Sequence, residues 1–155
     1  MDNSFRIYTK EKEKDVIYSI YTESKVTCIK SVPNSHLFYT GHQNGKITKW
    51  SYSKANKEDI KNAYNEKKIN ISKKNYMHCH QSMVKIIEIN NKYRFIISVG
   101  DDGTIFIRKH YRFELLSFIK LNKYNNEVID INLCRQLIII SVFKTKKKQM
   151  YIYIQ

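Results

Sequence analysis

One order of residues occurs three times in this chain. Val26-Thr27-Cys28-Ile29 is followed by Leu37-Phe38-Tyr39-Thr40 and then by the run from Gly41 to Trp50. Val84-Lys85-Ile86-Ile87, Phe95-Ile96-Ile97-Ser98 and the run from Val99 to Arg108 repeat it. Val26 aligns with Val84, Thr40 with Ser98 and Gly45 with Gly103, each at an offset of 58 residues. A third copy follows as Val128-Ile129-Asp130-Ile131, Leu137 to Ser141 and Met150 to Ile154. A chain built this way folds as a series of similar units, each burying its apolar face against its neighbours.

Each copy predicts strands. Gln43-Asn44-Gly45 and Asp101-Asp102-Gly103 sit between runs of β-branched and aromatic residues, and Asn-Gly and Asp-Gly are strong hairpin signals. Lys46 to Trp50 and Thr104 to Arg108 alternate as half-buried strands do. The third hairpin lacks glycine and carries Lys144-Thr145-Lys146-Lys147-Lys148, which predicts a longer, looser loop. Asp15 to Tyr21 and Phe113 to Ile119 read as strands preceding the first and third copies, and Ser4 to Tyr8 as the last strand of an earlier unit. Four strands in about 40 to 45 residues is the size of a propeller blade. Blade-like units are expected at 16–50, 79–109 and 113–155, with a polar insertion at 51–77, a flexible segment or short surface helix, accounting for the longer first interval.

Composition agrees with strands. Ile outnumbers Leu 23 to 6 and there are only 2 Ala, so the strong helix formers are scarce while strand formers abound. The formal charge of +14 comes with 23 Lys against 5 Arg and with 14 Asn. Codons rich in A and T encode Ile, Lys, Asn and Tyr alike, which weakens the charge as a sign of an anionic partner. Met1 to Lys14 is polar and the longest apolar run is Leu137 to Ile140, so neither a signal peptide nor a spanning helix is expected. Cys28, Cys79 and Cys134 form no C-x-x-C pair, and an odd number of thiols fits a reducing, cytoplasmic setting.

His80 four residues before Val84, the hairpin from Ser98 to Arg108 around Gly103, and the run from Thr40 to Lys49-Trp50 around Gly45 resemble a WD-repeat β-propeller segment. The resemblance covers residues 4 to 154 and implies an all-β fold: a partial β-propeller of about three WD-like four-stranded antiparallel blades. It implies that His, Ser or Thr, Asp and Trp tie each blade together, with His80 and Ser98 in one set and Thr40 and Trp50 in another. Arg108 and Tyr153 stand where tryptophan is expected, and the first copy has no histidine before its inner strand. The run from Tyr39 to Trp50, followed by a polar insertion, is similar to the propeller that follows the BEACH domain in trafficking scaffolds. Three blades do not close a ring of four to eight, which implies further blades or self-association.

No catalytic constellation emerges. His78, Cys79 and His80 are adjacent, and neighbouring residues cannot surround a zinc ion. Asp101 and Asp102 are turn residues pointing apart rather than paired acids. No phosphate-binding glycine loop is present. Neither a metal nor another cofactor is expected, and the expected function is a non-catalytic scaffold that docks protein partners, with a cytoplasmic location peripheral to vesicles. The alternative is a basic module for RNA or acidic lipid. Its candidate patch is Lys144, Lys146, Lys147 and Lys148 beside Phe143, Tyr151 and Tyr153. Against it, the insertion and this lysine run carry over half of the charge excess in two expected loops, and Lys is a poorer bidentate phosphate ligand than Arg.

Overall fold

Strand-forming composition is realised throughout the described residues. The computed structural model describes residues 3–10, 15–54, 69–121, 126–134, 137–144 and 147–154, and among them every regular element is a β-strand. Strands β1 (Ser4–Lys10) and β2 (Asp15–Tyr21) form an antiparallel pair. A four-stranded sheet follows from β3 (Val26–Ser31), β4 (Leu37–His42), β5 (Lys46–Lys54) and β6 (Ile69–His78). The second four-stranded sheet comprises β7 (Val84–Asn90), β8 (Phe95–Gly100), β9 (Thr104–Lys109) and β10 (Leu115–Lys120). The last has β11 (Asn126–Cys134), β12 (Leu137–Lys144) and β13 (Lys147–Ile154). Within each sheet every strand pairs antiparallel with its neighbour in sequence, and among the described residues no sheet closes into a barrel. This is the sheet-by-sheet arrangement of a partial β-propeller.

The 58-residue offset is structural. The register slips between Val26 and Cys28 in the first sheet and between Val84 and Ile86 in the second. It slips again between Val128 and Asp130 in the third, so each inner strand carries a bulge at the same place. Gly45 and Gly103 both take φ 78°. Neither Asn44 nor Asp102 does, so the hairpins are three-residue loops with only the glycine left-handed, rather than two-residue turns.

Three boundaries differ from the sequence expectation. Strand β2 pairs with β1 and β10 with β9, so each outer strand completes the sheet before it, and units 16–50 and 113–155 begin one strand too early. Ser4 to Tyr8 is accordingly not the last strand of its sheet. The stretch assigned to the insertion contains β6, which pairs with β5 along its length. Polar composition disguised it, because an outer strand faces water on one side. The remainder of the insertion, 55–68, lies outside the described residues. Finally, Lys144 pairs with Lys147, so Lys144, Lys147 and Lys148 of the lysine run are strand residues rather than loop, while residues 145 and 146 lie outside the described residues.

Sheets pack face to face in layers. Tyr39 and Ile47 of the first sheet meet Val84, Ile87, Ile89 and Ile96 of the second. The opposite face of the second sheet presents Ile97, Val99, Ile105 and Ile107 to Val128, Ile131, Ile138 and Ile140. Phe5 of β1 meets Phe38 and Trp50 in a third cluster. Strands β4 and β8 are therefore buried on both faces and read as continuous apolar runs. A fully buried Ile is worth about 1.5–3 kcal/mol, so these layers hold the sheets in a fixed relation.

Candidate functional site

Period-two geometry puts Thr40 and His42 on one face of β4, opposite Thr48 and Trp50 of β5. Trp50 Nε1–H donates to Thr40 Oγ1 at 2.8 Å. Thr40 Oγ1 lies 2.9 Å from His42 Nε2, and Thr48 Oγ1 is 3.1 Å from the same nitrogen. His42 Nδ1 lies 3.1 Å from the Ser24 carbonyl. A carbonyl only accepts, so Nδ1 carries the proton and Nε2 receives the threonine hydroxyl. A single chain of bonds thus runs from indole to hydroxyl to imidazole to backbone. Burial pulls the His42 pKa below its ordinary value and Lys46 adds to this, against the Ser24 hydrogen bond. Beside this set Glu23 bridges Lys46 at 2.6 Å and Lys73 at 3.1 Å, which brings its carboxyl down to about 2.

The first sheet thus has its histidine after all, supplied from the end of β4 instead of from the segment before β3. Thr22 stands at the position equivalent to His80, and its hydroxyl bonds the Asn3 and Ser24 carbonyls. The signal for His42 was present in the sequence as its two-residue spacing from Thr40.

In the second sheet His80 enters from the connection before β7. Ser98 Oγ lies 2.9 Å from His80 Nε2, and Thr104 Oγ1 lies 2.8 Å from Nδ1. Thr104 donates its hydroxyl to Asp102 Oδ1 at 2.5 Å, so it accepts from Nδ1–H. Asp102 also receives the Thr104 and Gln81 backbone N–H groups at 3.0 and 2.9 Å. Burial raises its pKa, but these bonds outweigh it and leave the carboxyl below its ordinary value. His80 is pulled down chiefly by burial, against the nearby Asp102 charge. Thr104 was not anticipated, and nothing in the repeat predicts it, since Lys46 occupies the equivalent place.

Tryptophan is missing from this second set. Arg108 instead donates from Nη1 to the Phe113 carbonyl at 3.2 Å and lies 4.9 Å from the Phe106 ring. Ser98 therefore has no indole donor. Two glycines allow the arrangement. A Cβ on Gly100 would fall 2.4 Å from both Asp102 Oδ1 and His80 Nδ1, and one on Gly45 would fall 2.0 Å from the His80 carbonyl oxygen. Gly45 in turn accepts the Cys79 and His80 N–H groups, joining the two sheets. Gly103 marks the matching turn of the second sheet.

The reactive side chains are placed as follows. His78 is exposed on β6 while His80 is committed to Ser98 and Thr104. Among the described residues no three His, Cys, Asp or Glu groups converge on a metal position. Burial pushes the Cys28 thiol up to about 11 and the Cys79 thiol up to about 12, so both are protonated at neutral pH. Asp101 lies 3.6 Å from Lys85. Lys144, Lys147 and Lys148 lie on β12 and β13, Lys146 lies outside the described residues, and so do the side chains of the whole lysine patch. No described helix is long and apolar enough to cross a membrane.

No protein-family model matches the chain, and no curated protein matches it. Among solved structures 368 chains match. One is the crystal structure of the computationally designed Ika4 protein, with a TM-score of 0.56, 14% identity, and coverage of 84% of this chain and 72% of that one. That likeness concerns the fold alone, and a fold so widely shared does not fix an activity.

Proposed function

We propose that this chain is a WD-repeat-type scaffold without catalytic function, docking protein partners through its loops and outer faces. The observation that carries the proposal is the fate of two sets of polar side chains: buried His42, Thr40, Thr48 and Trp50, and buried His80 and Ser98 with half-buried Thr104 and Asp102, bond to one another. Groups spent in this way stiffen the sheets and offer little to a substrate. Rigid stacked sheets with protruding turns suit recognition of other proteins. A cytoplasmic role at vesicle surfaces, of the kind served by propellers that follow BEACH domains, is the finer form of the proposal.

Covalent cross-linking in cells, followed by titration of each purified cross-linked protein against the chain, tests it. Saturable, stoichiometric binding that survives physiological salt is the expected result. Binding only to generic RNA or anionic vesicles, falling steeply with log salt and weakened by neutralising Lys144, Lys146, Lys147 and Lys148, would replace it with the basic-module reading.

A further inference from the structure

A cavity of about 410 Å³ opens at the end of the second sheet, between the β7–β8 turn and the β9–β10 turn. Arg94 and Tyr93 come from the first turn, Lys109 from the end of β9, and Tyr111 and Arg112 from the second turn, with Leu116 of β10 as an apolar part of the lining. The carboxylate in the lining, Glu114, is held by Lys109 at 2.9 Å. Arg94 and Arg112 have no carboxylate partner among the described residues. Beneath them Lys49 of the neighbouring sheet is buried, and its Nζ lies 4.9 Å from the Tyr111 ring centre. The local field is therefore positive. His110, fully buried beside Tyr111, responds to it: burial first, then the charges of Lys49 and Arg94, lower its pKa, with no anion opposing them.

Both turns are held in shape. His110 N–H donates to the Arg94 carbonyl at 3.1 Å, and Phe113 N–H to the Lys109 carbonyl at 2.8 Å. Phe113 takes φ 60° and fills the layer between the sheets, while Arg94 takes φ 57°. A left-handed turn position is most easily filled by Gly or Asn, yet this one carries an arginine aimed at the cavity. Rigid non-glycine residues in that region of φ concentrate at binding sites.

We propose that this groove binds an acidic segment of a partner protein, with Arg94 and Arg112 engaging its carboxylates and Leu116 and the tyrosine edges packing an apolar side chain. The proposal rests on the scaffold reading and names the chemistry of its partner. Guanidinium groups pair with carboxylates in a bidentate fork, and the charge is complementary. Single-stranded nucleic acid fits less well, because each ring already carries a neighbouring ring and a lysine, which leaves only part of its surface open. Tyr111 has His110 at 3.9 Å and Lys49 nearby, and Tyr93 has Phe95 at 6.5 Å and Lys92 at 5.2 Å. Free ring faces are what base stacking requires.

Fluorescence anisotropy with a labelled Glu-Glu-Glu-Phe-Glu-Glu-Glu peptide, its all-Gln counterpart and a short labelled oligouridylate tests the groove. The acidic peptide is expected to bind saturably, the Gln peptide not to bind, and Arg94→Gln with Arg112→Gln to weaken binding by about tenfold or more. Arg112→Gln alone, which leaves the left-handed turn untouched, should show part of that loss, and Lys120→Gln, on the outer strand away from the groove, should show none. No binding of the acidic peptide, binding insensitive to both arginine substitutions, or tighter binding of oligouridylate with the same sensitivity would overturn the proposal. Cross-linked partners that still bind the double variant would remove the groove and leave the scaffold reading standing.

Discussion

Replacing Thr40 by valine keeps the shape of the side chain and removes one hydroxyl. Thr40 is fully buried and receives the Trp50 indole N–H at 2.8 Å while facing His42 Nε2 at 2.9 Å. His42 keeps a second hydroxyl, Thr48, at 3.1 Å. The indole N–H has no alternative acceptor in its set and is left unsatisfied in a 7% exposed residue, a loss of about 1–3 kcal/mol. For a chain of this size roughly 2 kcal/mol lowers Tm by about 4–8 °C. Combining Thr40→Val with Trp50→Phe in a denaturant-unfolding cycle isolates the bond. Removing both partners is expected to cost less than the sum of the single changes by about 1 kcal/mol. Ser98→Ala in the second sheet should cost a similar amount, because no indole depends on that hydroxyl but His80 Nε2 has no second one to turn to. A Thr40→Val chain within about 0.5 kcal/mol of the parent, or an additive cycle, would refute the reasoning.

Acidification should destabilise the fold below neutrality. His42, His80 and His110 all have folded pKa values below the unfolded value of about 6.5. Their contribution is complete above that pH and is lost as pH falls, by up to about 1.4 kcal/mol per pH unit per histidine; a Tm unchanged between pH 7 and pH 5 would contradict this. Gly100→Ala places a Cβ 2.4 Å from both Asp102 and His80 and is expected to cost about 1–3 kcal/mol, read by urea unfolding. A neutral Gly100→Ala would mean that the two side chains are not packed against the β8 backbone. Phe118→Lys, at a 59% exposed position on the outer strand β10, should change stability by less than about 0.5 kcal/mol and reduce self-association in light scattering. A large loss of stability would show that this face is covered.

The repeat made much of the fold legible. Offset alone placed β3, β4 and β5 against β7, β8 and β9, because strands with shared burial share patterns. Polar, charged residues of β6 conceal a strand, since its outer face carries no apolar signal, and without a glycine the third hairpin reads as a long loop although Lys144 and Lys147 pair. Sheet membership of β2 and β10 could not be read either: pairing of an outer strand is decided in three dimensions, and sequence order is compatible with both neighbours. In the candidate site His80 with Ser98 and Thr40 with Trp50 followed from position. His42 does not follow from the repeat, because it comes from the end of β4 and not from the segment before the inner strand, and Thr104 breaks the repeat altogether. The groove of Arg94 and Arg112 was invisible, because it depends on two turns meeting and on a lysine from the next sheet.

Both ring nitrogens of His42 and of His80 are taken up by hydrogen bonds within the protein, and the proposed scaffold role requires that neither ring bind a substrate or a metal. Long-range ¹⁵N–¹H NMR of the two rings across a pH series, with and without added Zn²⁺, addresses this directly. Both rings are predicted to show the neutral tautomer protonated at Nδ1, to remain neutral below the ordinary histidine range while the chain is folded, and to ignore zinc. An ordinary titration near pH 6.5 in the folded protein, or a zinc-induced shift at either ring, would contradict it.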